Sequence, residues 1–146
     1  MPYPTSGSPG VAIAGHPLHE ELRIKTIDTG YAKPGRLVMK DTDDDHCKVA
    51  GAGEVAVIGY LAPVPNHDSA TDFAAEDWVR VGHGPGVVVP LVLAAGQTAV
   101  KGAVLYPAAH GALKTAPTAT EPAVAKADQS VTTTGSEGAI NARMLI

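Results

Sequence analysis

Apolar and polar positions alternate over short stretches, and turn residues interrupt each stretch before a helical period can develop. Leu22, Ile24 and Thr26 alternate with Arg23, Lys25 and Ile27, and Asp28-Thr29-Gly30 ends the run. This predicts a half-buried strand. Pro34-Gly35 turns the chain into a second strand, Arg36–Lys40, followed by an acidic tip at 41–45. Lys48–Ala50 and the β-branched run Val55–Leu61 predict two more strands, and 63–77 reads as a loop in which Ala74–Asp77 could add one helical turn. Trp78–Val81 and Val87–Leu93 follow, split by Gly82–Gly86; Pro90 cannot donate to a ladder and marks an edge or a bulge. Gln97–Lys101 and Ala103–Tyr106 are short. His110-Gly111 reads as a hairpin turn between Leu105-Tyr106 and Leu113-Lys114. Ala123–Ala127, a polar 132–138 turn and a last strand Ala139–Ile146 complete the pattern.

Residues 1–20 differ from the rest. Pro2, Pro4, Pro9 and Pro17 interrupt any helix, and the stretch cannot bury enough apolar surface alone to offset its ordering entropy. It nevertheless carries Val11, Ile13 and Leu18, apolar anchors suited to docking on a partner. The expected organisation is therefore an extended N-terminal arm, 1–20, and a single β domain, 21–146. A weak internal echo links Glu54-Val-Ala-Val and the returning Trp78–Val81 with Glu121-Pro-Ala-Val and the returning Ala139–Met144. It reads as repeated hairpin geometry, with duplication left open.

Composition sharpens this picture. Apolar residues make up 45% of the 146, but only 4% are aromatic, so the core is built from small and β-branched side chains. With 16 Gly and 12 Pro, long helices are excluded and a small all-β barrel is expected. The net charge of −4 is spread along the chain with no basic stripe, which argues against nucleic acid as a partner. No apolar run approaches a membrane span, and the first residues lack the basic and apolar regions of a signal peptide.

Little of the sequence reads as chemistry. Cys47 alone cannot form an internal disulfide, and beside His46 it is read as a small half-buried strand residue. Asp41, Asp43 and Asp45 open like a calcium loop, but His46 stands where Gly is needed and Ala52 where Glu is needed. A solvated acidic tip is the expected state, with metal binding at Asp41–His46 as the alternative. His67-Asp68-Ser69 lists triad residue types in consecutive positions, which is not how a triad assembles. Gly82-His-Gly-Pro-Gly86 lacks the following Lys-Ser/Thr and helix of a phosphate loop. The expectation is a non-enzymatic protein with no cofactor and no resident metal.

One segment carries a family resemblance. Val87–Thr115 joins a Val/Leu strand, Ala95-Gly-Gln-Thr-Ala-Val-Lys-Gly-Ala-Val-Leu105 and a His110-Gly111 hairpin. This resembles the capsid decoration (cement) proteins of tailed viruses, over roughly 54–146, and residues 1–20 look like the arms such proteins lay over neighbouring subunits. The Gly96–Leu105 rhythm also looks like a lipoyl carrier turn, but Lys40 between Met39 and Asp41 departs from the modified-lysine motif. The decoration resemblance implies a β-barrel or β-tulip domain that binds the major capsid protein on the expanded head, on the capsid exterior, as a homotrimer. It makes Val11, Ile13 and Leu18 contacts of the arm and Trp78 a possible interface ring. A tail or fibre component would share the composition.

Overall fold

The computed structural model describes residues 7–146. Its strands are β1 (Leu18–Thr26), β2 (Leu37–Lys40), β3 (His46–Val49), β4 (Val57–Ala62), β5 (Trp78–His83) and β6 (Val88–Leu93). Then come β7 (Thr98–Ala99), β8 (Val104–Pro107), β9 (Leu113–Lys114), β10 (Ala125–Ala127), β11 (Val131–Thr132) and β12 (Gly138–Met144). A short 3-10 turn at Ala109–Gly111 links β8 to β9, and no α-helix occurs among the described residues. The all-β expectation holds. Each predicted strand is present within a few residues, while Ala74–Asp77 is a turn closed by the Asp77 N–H on the Ala74 carbonyl. Glu76 sits there at φ 70°, which a helix excludes.

Where one barrel was expected, the strands close into two. The N-barrel has neighbours in the order β1-β3-β2-β4-β5, and β5 returns to β1. The C-barrel contains β6, β8, β9, β10 and β12, and its circuit is β6-β9-β8-β10-β12 and back to β6. Both circuits therefore run first, third, second, fourth, fifth. In both, first and third strands pair parallel and every other pair is antiparallel. The chain is two copies of one barrel topology. The sequence echo falls on equivalent elements, β4–β5 and β10–β12.

Alternation puts small and branched residues inside. In the N-barrel, Leu22, Ile24, Val38, Cys47, Leu61, Val79 and Val81 bury together with Phe73 from the long loop. A second cluster joins Val89, Leu91, Leu93, Leu105, Leu113 and Ile140 of the C-barrel to Leu37, Ala50 and Tyr60 of the N-barrel. The two barrels thus share apolar packing rather than meeting across water. Removing this apolar surface of both barrels from water holds one barrel on the other.

Polar contacts fix the junction. Arg36 Nη1 and Nη2 donate to the Glu137 carboxylate at 2.7 and 2.8 Å, and Arg36 Nη1 also donates to the His110 carbonyl at 3.0 Å. The Tyr31 ring stacks on His110 at 3.9 Å between centroids, and His110 Nδ1 lies 2.7 Å from Asp28. Gly111 donates to the Ala50 carbonyl at 2.7 Å with φ 68°. A Cβ at Gly111 would lie 2.7 Å from the Leu37 carbonyl oxygen, so only glycine fits.

Candidate functional site

The described part of the arm, from residue 7 on, does not stand away from the barrels, and residues 1–6 lie outside the described residues. Residues before β1 lie along β6: Gly10 N–H donates to the Pro90 carbonyl at 3.0 Å, and Ile13 N–H to the Val88 carbonyl at 2.8 Å. Val88 N–H returns a bond to the Ala14 carbonyl at 3.0 Å. This explains Pro90. Its carbonyl faces the arm, so its missing N–H falls on the same side, away from the β12 ladder. A Cβ at Gly10, where φ is 75°, would sit 2.3 Å from the Leu61 carbonyl oxygen. Glycine here lets the arm press into the seam between barrels.

The three expected anchors have different surroundings. Ile13 is half-buried, while Val11 is 44% exposed. Leu18 is the first residue of β1 rather than part of the arm, pairs with His83, and is 65% exposed. Val11, Pro17, His19, Ala62, Pro63 and Arg80 line a shallow groove between the arm and the N-barrel. Trp78 opens β5 on the outer surface, 54% exposed, with the Arg23 guanidinium 4.7 Å over its ring. It belongs to no core cluster. An exposed indole with a cation above it is an amphipathic contact element.

Beside it lies the acidic turn. Asp41 accepts from Thr26 Oγ1 at 2.7 Å and Thr42 N–H at 2.8 Å, and these bonds hold its carboxyl below the usual range against its partial desolvation. Asp43 pairs with Lys25 at 3.0 Å and Asp44 with Lys40 at 2.5 Å. His46 lies between Glu76 at 3.0 Å and Asp45 at 2.8 Å, and the Glu76 bond raises its pKa. The alternating carboxylates are tied to separate partners, and no group of three His, Cys, Asp or Glu is placed to hold a metal among the described residues.

The other motifs have structural surroundings. His67 bonds the Thr71 carbonyl and stacks on Phe73, while Asp68 accepts from Ala70 N–H and the Thr71 hydroxyl, so no relay joins His67, Asp68 and Ser69. In the Gly-rich loop, Gly84 N–H donates to Ile146 and Gly86 N–H to Met144. These donors face β12 and the residues after it. Cys47 is buried, and burial pushes its thiol up to about 12. A protonated, enclosed thiol is a poor nucleophile. Sequence reasoning missed the junction of Arg36, Glu137 and His110, because Arg36 and Glu137 stand 101 residues apart.

The fold has a solved counterpart. The chain is similar to the N base of head fiber gp8.5 of bacteriophage phi29, with a TM-score of 0.55 and 13% sequence identity. The match covers 88% of this chain and 94% of that one, and so includes both barrels. No family model and no curated protein matches the sequence.

Proposed function

We propose that this chain is a non-enzymatic structural protein of a tailed-virus particle, attached to the outside of the head. The observation that carries this reading is the agreement of the double-barrel fold, over nearly its whole length, with a bacteriophage head-fiber base. The residues are consistent with a binding role. Val11, Leu18 and Trp78 are exposed apolar side chains available for contact, as are Val55 and Val100. Within the virion class, decoration of the expanded head is the first role, through contacts with the major capsid protein and self-association as a homotrimer. Repeated weak contacts over a symmetric shell give avidity that a single small interface lacks.

A head-fibre base is the second reading, and the fold similarity favours it specifically. Immunogold labelling of intact particles separates the two. Label spread over the whole head surface is the expected result for decoration, and label confined to sparse projecting fibres assigns the fibre role. Particles with no label on the head contradict both.

A further inference from the structure

Arg80 differs from the other arginines in what it meets. Arg23 pairs with Glu76 at 3.7 Å, Arg36 with Glu137 at 2.7 Å and Arg143 with Asp128 at 3.1 Å. Arg80 makes no ion pair and no side-chain hydrogen bond among the described residues, and residues 1–6 contain no Asp or Glu that could supply one. Glu21 stands opposite Arg80 in the β1–β5 register without pairing with it. A half-buried guanidinium thus keeps its fork of donors for water or a ligand.

In β5, Val79 and Val81 are buried in the N-barrel core, so alternation puts Trp78 and Arg80 on the outer face. Arg80 borders two hollows there. One is the groove lined by Val11, Pro17, His19, Ala62 and Pro63, with Gly10–Ala12 of the arm as one wall and no carboxylate in its lining. The other is smaller and is lined by Glu21, Val64, Trp78 and Val79. Burial, and then the charges of Arg80 and His83, hold the His19 pKa below its ordinary 6.5, so near neutral pH Arg80 carries the positive charge of the groove. The strip therefore runs from an apolar groove, over one guanidinium, to an indole that is 54% exposed. Trp and Arg are enriched among the residues that dominate protein–protein contact energies.

We infer that this strip binds an extended segment of the viral shell protein, one that carries an Asp or Glu with an apolar side chain two residues to either side. Charge selects the centre of that segment. A carboxylate accepts two parallel bonds from a guanidinium, and Arg80 is the arginine whose donors no internal acid uses. Shape selects the flanks. Side chains two residues apart on an extended chain lie on one face about 6.7 Å apart, which is also the spacing of Trp78 and Arg80 along β5. With the carboxylate on Arg80, one flanking side chain meets the Trp78 ring and the other enters the groove between Val11 and Pro63. The arm is thus part of the seat, as one wall of the groove.

This inference rests on the head attachment in the proposed function and names its surface. Cosedimentation with purified expanded heads tests it for the natural chain, Arg80→Lys, Arg80→Glu and Lys101→Glu, the last being the same charge reversal at an exposed turn of the C-barrel. Arg80→Glu should weaken binding at least about tenfold, Arg80→Lys should weaken it less, and Lys101→Glu should bind as the natural chain does. Photo-crosslinking from Val11→p-benzoylphenylalanine, at the groove wall, keeps the test independent of how the Arg80 variants fold. It should capture a shell-protein peptide with an Asp or Glu between apolar residues at that spacing. Unchanged binding of a folded Arg80→Glu, or capture of a peptide without a carboxylate or of a second copy of this chain, overturns the inference and leaves head attachment standing. A natural chain that does not bind heads overturns both.

Discussion

Arg36 holds the Glu137 carboxylate with two parallel hydrogen bonds, of 2.7 and 2.8 Å, across the seam between the barrels. Arg36 is almost fully buried and Glu137 about one-third exposed, so the pair sits at the margin of the shared core. Its Nη1 also donates to the His110 carbonyl, and its guanidinium lies 4.9 Å over the Tyr31 ring. One side chain thus joins the loop before β2 to the turn before β9 and the start of β12.

Removing one partner should loosen the junction. Arg36→Met leaves Glu137 without its bidentate donor and should cost about 2–3 kcal/mol, below the range for fully buried pairs because Glu137 reaches water. Glu137→Gln should cost less, since the amide oxygen can still accept one bond. Urea unfolding of both variants gives the comparison, and an Arg36→Met loss under about 0.5 kcal/mol would mean the pair is ornamental.

Tyr60 offers the opposite sign. Its hydroxyl is buried without a partner, and burial pushes its pKa up to about 12. Tyr60→Phe removes an unsatisfied group and should be neutral or stabilising by up to about 1 kcal/mol. The strand opposite is less forgiving. A Cβ on Gly82 would lie 2.4 Å from the Tyr60 ring, so Gly82→Ala should destabilise by about 2–3 kcal/mol through overpacking. Thermal melts should show a lower melting temperature for Gly82→Ala and an unchanged or higher one for Tyr60→Phe.

The His46–Glu76 pair sets a pH dependence. Bonding to Glu76 raises the His46 pKa above 6.5, and the same contact lowers that of Glu76. A raised histidine pKa contributes stability that is fully present below the unfolded value of 6.5 and lost as pH rises through the folded value. Glu76 must stay ionised, so the window begins above its lowered pKa. The difference in melting temperature between the natural chain and His46→Asn should be larger at pH 5.5 than at pH 8. An NMR titration placing His46 below 6.5 would contradict this.

Much of the β architecture was legible because strand signals are local. Val55–Leu61 and Val87–Leu93 are branched and apolar, and His110-Gly111 supplies two residues at positive φ, 59° and 68°, between β8 and β9. In sequence Pro90 reads as an edge or a bulge; it lies within a closed barrel, with its carbonyl on the side of β6 away from β12, where the arm covers it. What could not be read was which segment it faced, because the Gly10–Pro90 bond spans 80 residues of chain. The duplication was visible only in β4–β5 and β10–β12, where Glu54-Val-Ala-Val matches Glu121-Pro-Ala-Val; elsewhere equivalent strands differ, as Leu18–Thr26 and Val88–Leu93 show. Trp78 is exposed opposite Arg23 in the strand pair, and no local pattern distinguishes that from a core indole.

The attachment to a viral head is the claim on which the functional account depends. Cosedimentation of the purified chain with expanded and unexpanded heads of the virus that encodes it tests that claim most directly. The account predicts saturable binding to expanded heads at a fixed ratio to the shell protein, weakened by Trp78→Ala or by removal of the arm. Absence of binding to heads in both states would contradict it.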